Sequence, residues 1–177
     1  MRLKDGDAGR EEARDLAKEF DAICQDYRAM VYRYVYRLCR NESLADEVTQ
    51  ETFCRAMSAW PKFRGDSSPA TWLCGIARKV YYSMLRKPQP LPLEAAENAR
   101  GPDIAEALVE SDRQMAAQRL LHRLPEPYRE VFTLRTFCDL SHRQIGELFE
   151  KSETWARVTY FRARQMLQEA MKEADEE

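Results

Sequence analysis

Several things are scarce in this chain, and each scarcity excludes something. No run of about 18 apolar residues occurs, so no segment reads as a membrane-spanning helix. Only two histidines are present, His122 and His142. The five cysteines (Cys24, Cys39, Cys54, Cys74 and Cys138) are widely spaced and form no C-x-x-C. Zinc ligation is therefore not expected, and reduced, buried thiols in a cytoplasmic protein are. The first residues, MRLKDGDAGREEARD, lack the apolar core of a signal peptide. No nucleophile triad, phosphate-binding loop or metal motif occurs, so no catalytic residue, metal or cofactor is expected. Paired carboxylates on a helix bring a di-metal bundle to mind, but that design needs Glu-x-x-His, which neither histidine supplies. Convincing strand patterns are also missing, and no internal repeat occurs. The expected fold class is all-α.

What is abundant is charge, and it is segregated. Charged residues make up 33% of the 177, yet the net charge is only -2. Residues 1–88 hold 16 basic and 13 acidic side chains, and residues 113–174 hold 11 basic and eight acidic. Between them, residues 89–112 hold one basic and six acidic side chains, with alternating prolines at the start and Gly101-Pro102 inside. That stretch reads as an acidic linker, briefly helical from Ile104 to Val109. Two small helical domains at 15–88 and 113–174, joined by a flexible acidic linker, are expected. Residues 1–14 are expected to be disordered, and the last three residues form an acidic tail.

Helix signals are dense. Phe20, Ile23, Tyr27, Val31, Tyr34, Val35 and Leu38 recur at three- and four-residue spacing within Leu16 to Arg40. Asn41-Glu42-Ser43 breaks that helix, and Ser43 is the expected cap of the next one, Leu44 to about Trp60. Ser68-Pro69 starts a helix running to about Lys87, stopped by Pro88 and Pro90. Further helices are predicted near 113–123, 127–138, 141–149 and 153–172.

The most informative stretch is SHRQIGELFEKSETWARVTYFRARQML, residues 141–167. Ser141 with Gln144 spells a capping box, the turn falls at Glu150 to Ser152, and Ser152 can cap the second helix. In that helix Ala156, Tyr160, Ala163 and Leu167 make a narrow inward stripe. Trp155, Arg157, Thr159, Phe161, Arg162 and Arg164 are expected on the other side. Such a helix-turn-helix suits a DNA major groove; the plain alternative is an arginine-rich surface helix.

Two other constellations carry chemistry. On the helix after Asn41, Asp46, Gln50 and Phe53 share one face and Glu47 and Glu51 the next, a carboxylate-and-amide surface with an exposed aromatic that fits a basic partner protein. A solvated helix surface is the competing interpretation. From Lys62 to Lys87, six basic side chains stand against one acidic, with Phe63, Trp72, Tyr81 and Tyr82 interleaved. Cations tracking phosphates and rings stacking on bases suit single-stranded DNA, and the Arg64-Gly65-Asp66 loop can cradle an extruded base. Trp72, Ile76 and Val80, at four-residue spacing, equally fit a core stripe. Taken without a family, these residues fit a helix-turn-helix regulator that binds DNA alone, or a helical adaptor that binds only protein with its arginines solvated.

The order QETFCRAM, W-PKFRGDSSPATWLCGIARK, acidic linker, LPEPYREVFTLR and LSHRQIGELF…SETWARVTYFRAR resembles a bacterial RNA polymerase sigma factor of the sigma-70 family, extracytoplasmic-function group (group IV). The resemblance covers roughly residues 20–172. It implies that 15–88 is the region 2 domain, binding core polymerase and the −10 element, and that 113–174 is the region 4 domain, binding the −35 element. It implies that Asp46, Glu47, Gln50, Glu51, Phe53 and Arg55 dock the β′ clamp helices, and that the β flap is a further polymerase contact. Lys62, Phe63, Arg64, Gly65, Asp66, Ser67, Trp72, Arg78, Lys79, Tyr82 and Arg86 would capture the melted −10 strand. Arg157, Val158, Phe161 and Arg162 would read the −35 duplex, and Ser141, Arg143, Thr154 and Arg164 would hold its phosphates, while Trp155 would either pack on the sugar-phosphate backbone or widen the buried face. Promoter DNA, core polymerase and an anti-sigma factor, usually membrane-tethered, are the implied partners, with no small-molecule substrate. Lys79 and Ser83 stand where family members often have Asn and Asp. Trp155 and Thr159 stand where a small hydroxyl residue and a basic one are common, which leaves the promoter words open.

Overall fold

The computed structural model describes residues 5–86 and 117–176, and among them every regular element is helical. The linker expected at 89–112 lies outside the described residues. Helix α1 spans Asp5–Cys39. It begins ten residues ahead of the expected boundary, so the segment expected to be disordered is helical from Asp5 onward. The physical reason lies in its composition: residues 8–19 are almost wholly Ala, Glu, Arg, Lys and Leu, which extend a helix once its packed half is nucleated. The packed half starts at Phe20, and Val31, Tyr34, Val35 and Leu38 form the buried stripe that the spacing predicts.

Helix α2, Glu42–Ala59, is capped by Asn41 rather than Ser43. Asn41 holds an extended backbone, and its Oδ1 accepts the Leu44 amide at 2.8 Å. Arg40, just before it, takes a left-handed φ of +50° and turns the chain between the helices. The buried face of α2 is small: Ala45, Val48, Thr49, Thr52 and Ala56. Thr49 and Thr52 satisfy their buried hydroxyls on the carbonyls of Ala45 and Val48, at 2.7 and 2.6 Å. Small residues there allow α2 to lie close against its neighbours. A 3-10 turn, Trp60–Lys62, leads into the loop before α3, Pro69–Arg86. Ser68 caps α3 as expected, its Oγ accepting the Thr71 amide at 3.2 Å.

The second unit holds α4 (described over 117–123), α5 (Tyr128–Phe137), α6 (His142–Leu148) and α7 (Glu153–Glu176). The two units do not keep separate cores. One hydrophobic cluster runs from Val31, Tyr34, Leu38, Leu73, Ala77 and Val80 into Val131, Leu134, Leu140, Ile145 and Ala156. Each fully buried Val, Leu or Ile is worth about 1.5–3 kcal/mol, so this shared cluster contributes to the packing of α5 and α6 on α1 and α3. A smaller cluster of Leu121, Leu124 and Ala163, flanked by Tyr128, Phe132 and Leu167, holds α4 and α7 together. All five cysteines are free, but only Cys74 and Cys138 are buried. Cys24 and Cys39 are half-buried and Cys54 is exposed, so the expectation of buried thiols applies to two of the five.

Candidate nucleic-acid interface

The helix-turn-helix forms as its local chemistry dictates. Ser141 Oγ accepts the Gln144 amide at 3.2 Å, and Gln144 Oε1 accepts the Ser141 amide at 2.7 Å, closing the capping box. The turn is made by Glu150, with φ +55°, and by the Lys151 amide donating to the Gly146 carbonyl at 2.8 Å. Ser152 then caps α7 through the Trp155 amide at 3.1 Å. Gly146 is buried under this turn, where any side chain would meet the backbone of Lys151 and Ser152.

Helix α7 buries Ala156, Thr159 and Ala163, with Tyr160 and Leu167 half-buried. Thr159 therefore belongs to the inner face and not to the outer one expected for it. It lies three residues from Ala156 and four from Ala163, which places it on their stripe. Trp155 is half-buried and packs on Phe149, ring centroids 5.2 Å apart, so it widens the inner face. The outer face is left to Thr154, Arg157, Val158, Phe161 and Arg162. Val158 and Phe161 are 43% and 59% exposed, so apolar surface is displayed between the arginines. Arg157 is paired with Glu153 at 2.8 Å and Arg143 with Glu147 at 3.1 Å, both solvent-exposed i,i+4 pairs worth at most about 0.5 kcal/mol and easily exchanged for phosphate. Arg164 sits on the flank, lining an apolar groove with Phe132 and Leu167.

On the first unit, Trp60, Phe63 and Trp72 form a three-ring cluster with centroids 4.7 to 5.9 Å apart. Phe63 and Trp72 are both half-buried. A depression of about 240 Å³ opens beside them, lined by Lys62, Phe63, Arg64, Asp66, Ser67 and Trp72. Gly65 turns this loop with φ +73°. A second depression, about 440 Å³, is lined by Arg78, Lys79, Tyr82, Leu85 and Arg86. The basic-aromatic residues singled out by sequence thus divide between two concavities with no lining residue in common. On α2, Asp46, Glu47, Gln50 and Arg55 are exposed, and Glu51 pairs with Arg55 at 2.6 Å. Phe53 is not the exposed aromatic expected there: it is half-buried against the core, one residue beyond the buried Thr52.

Sequence reasoning passed over Glu130. This α5 carboxylate is 1% exposed and accepts hydrogen bonds from Tyr34 Oη at 2.6 Å, Arg78 Nε at 3.0 Å and Tyr82 Oη at 3.1 Å. Burial pushes its pKa above the ordinary glutamate value, while the Tyr34 hydrogen bond and the Arg78 charge pull it back. Burial beside this carboxylate also pushes the Tyr34 and Tyr82 phenols up. The available signal was its position, next to Val131 and one turn before Leu134 on the apolar stripe of α5.

Comparison with known proteins places the chain in a family. Residues 23–89 match the family model for Sigma-70 region 2, and residues 114–167 match that for Sigma-70, region 4. The RNA polymerase sigma-H factor of Pseudomonas aeruginosa is 28% identical, with 88% of this chain and 87% of that protein covered. The ECF RNA polymerase sigma factor SigM of Bacillus subtilis is 28% identical, over 83% of this chain and 91% of its own length. The ECF RNA polymerase sigma-E factor of Haemophilus influenzae is 29% identical, over 85% and 86%. Two solved structures share the fold, each with a TM-score of 0.66, 21% identity and 90% of this chain covered. They are CnrH in complex with the cytosolic domain of CnrY, covered over 90% of its chain, and RpoE of Bartonella quintana in complex with the anti-sigma factor NepR, covered over 98%. With both family modules present, in order and over more than half of its residues, the chain belongs to the sigma-70 family, in its extracytoplasmic-function group.

Proposed function

We propose that this chain recruits core RNA polymerase to promoters carrying −35 and −10 elements and promotes strand opening at the latter. The observation that carries this reading is the pairing of two unlike surfaces in one chain. Region 4 presents an arginine-rich helix with Val158 and Phe161 outward, the chemistry for base edges and thymine methyls in a major groove. Region 2 presents concavities of cations and rings, the chemistry for a splayed single strand. The chain supplies binding energy and the polymerase makes the phosphodiester bond, so the chain itself is not an enzyme.

In this reading Arg157, Val158, Phe161 and Arg162 read bases, and Ser141, Arg143, Thr154, Trp155 and Arg164 support the duplex contact. The Lys62–Ser67 loop, Trp72, Arg78, Lys79, Tyr82 and Arg86 hold the −10 strand. Asp46, Glu47, Gln50, Glu51 and Arg55 meet the polymerase clamp, with Phe53 packing beneath them. An anti-sigma factor is a natural partner, since CnrH and the Bartonella RpoE were each solved with a protein of that kind or a partner's cytosolic domain. Work on polymerase and promoter DNA puts this reading in the cytoplasm; separately, no described helix is long and apolar enough to cross a membrane.

The test adds the purified protein to core RNA polymerase on fragmented genomic DNA of the source organism and sequences the run-off transcripts. Discrete starts that require the protein, sharing upstream words, are the expected result. DNA retardation by the protein alone, without specific initiation, would transfer the assignment to a stand-alone regulator.

A further inference from the structure

Glu130 does more than fill a buried position. All three of its side-chain donors come from region 2: Tyr34 on α1 and Arg78 and Tyr82 on α3, 96, 52 and 48 residues away in sequence. The surrounding contacts fasten the same two faces. Leu148 of α6 lies over Gly75, where a Cβ would stand 3.1 Å from its methyl carbon. The Arg78 guanidinium stands 4.3 Å over the Phe149 ring, and Arg37 stands 3.8 Å over Phe137. Gln144 Nε2 donates to Ser68 Oγ at 3.3 Å. A carboxylate drawn to a guanidinium and two phenols presents to region 2 the same negative oxygens that a strand phosphate would. Two of those three donors, Arg78 and Tyr82, also line the basic depression of α3.

We propose that Glu130 is an intramolecular latch: in the free chain region 4 docks on region 2 and holds Arg78 and Tyr82 away from single-stranded DNA. The proposal rests on the reading that Arg78 and Tyr82 belong to the −10 surface. Strand capture then requires α5 to withdraw, so that the two DNA-binding units become usable together. A charged group buried to 1% exposure is costly to hold unless its partners are all present, so losing one of them shifts the balance toward the open form.

The latch is tested on the full-length protein with Glu130→Gln and, separately, Tyr34→Phe, which removes one hydrogen bond and leaves the strand-binding residues intact. Two readouts are used. The first is the rate of maleimide labelling at Cys74 and Cys138, which are buried in the cluster that the two units share; exposed Cys54 is the internal control. The second is the affinity for a fluorescein-labelled single-stranded oligodeoxynucleotide. Both variants are expected to label Cys74 and Cys138 faster with Cys54 unchanged, by at least about tenfold for Glu130→Gln, since a hydrogen bond to a charged group shifts an equilibrium by that much or more. The affinity for the single strand is expected to rise in parallel. Unchanged labelling in both variants would overturn the latch, whatever the DNA result. Faster labelling with unchanged single-strand affinity would overturn its inhibitory role by removing Arg78 and Tyr82 from the strand-binding surface. Loss of helical circular dichroism in Glu130→Gln would pass the decision to Tyr34→Phe.

Discussion

The turn of the helix-turn-helix admits a sharp test at Gly146. In the interior of an isolated helix, glycine is about 1 kcal/mol worse than alanine, so Gly146→Ala would ordinarily stabilise α6. Here the added Cβ would stand 2.9 Å from the Lys151 carbonyl oxygen and 3.0 Å from both the carbonyl carbon and oxygen of Ser152. These are backbone atoms, and they are fixed twice over. The Lys151 amide is bound to the Gly146 carbonyl, and the Ser152 side chain caps α7. Forcing extra volume into such a site costs about 1–3 kcal/mol, with fixed backbone favouring the upper half. Offset by the helix gain, the net loss is about 1–2 kcal/mol. For a chain of this size each kcal/mol moves Tm by roughly 2–4 °C, so a fall of about 2–8 °C is expected. The relief of the clash must also tilt α7 against α6, so −35-dependent transcription should fall more steeply than stability. Thermal unfolding by circular dichroism measures the first and run-off transcription the second. A Gly146→Ala protein as stable as the parent, or more so, would refute the close-approach argument.

Other outcomes follow from the same surfaces. Arg162→Ala should relax sequence preference in the −35 element at a cost of about 1–3 kcal/mol, whereas Arg143→Ala should weaken binding evenly across sequences and lower the salt slope by about one; titrations at several salt concentrations separate the two. Asp46→Arg with Gln50→Ala should abolish co-purification with core polymerase while leaving the helical spectrum intact, and retained binding would move the docking face elsewhere. His122 and His142 should both titrate below an ordinary histidine: burial depresses each, aided by Arg129 and Arg40 for the first and by Arg135 and Arg157 for the second. Because the folded pKa values lie below the unfolded one, their contribution to stability is present above about pH 6.5 and is lost as pH falls through the folded values. Histidine ring resonances followed by NMR report both pKa values directly, and either one at or above that of a free peptide would contradict the packing described.

Much of the fold was legible because helix ends are written in short-range chemistry. The Ser141 capping box, the Ser68-Pro69 start and the Ser152 cap each depend on atoms within three residues, and each forms as read. The Asn41 cap was missed in favour of Ser43 because both are good cap residues, and the left-handed turn at Arg40 decides between them. The inner and outer faces of α7 were legible except at Thr159, where a polar residue sits on the buried stripe. Trp155 could not be placed from spacing, because its partner Phe149 lies across the turn, at the C-terminal cap of α6. Phe53 shows the converse error: an aromatic on a polar face looked exposed, but folds back toward the core.

What the sequence hid is the relation between the two units. Charge segregation and a proline-marked acidic linker suggest two domains, and local patterns have no means of saying how their cores meet. The joint depends on meetings between residues 48 to 96 positions apart: Glu130 with Tyr34, Arg78 and Tyr82. It also depends on Gly75 being bare enough for Leu148. A buried carboxylate in an otherwise apolar stripe is the one local mark of such a joint. Its energetics explain why it is placed there and not an apolar residue. An apolar residue of similar volume would leave the contact indifferent to any single donor, whereas a desolvated ion pair becomes costly as soon as one donor is lost. For a protein that must present one surface to a duplex and another to a single strand, a joint that can be undone is worth more than a tighter one.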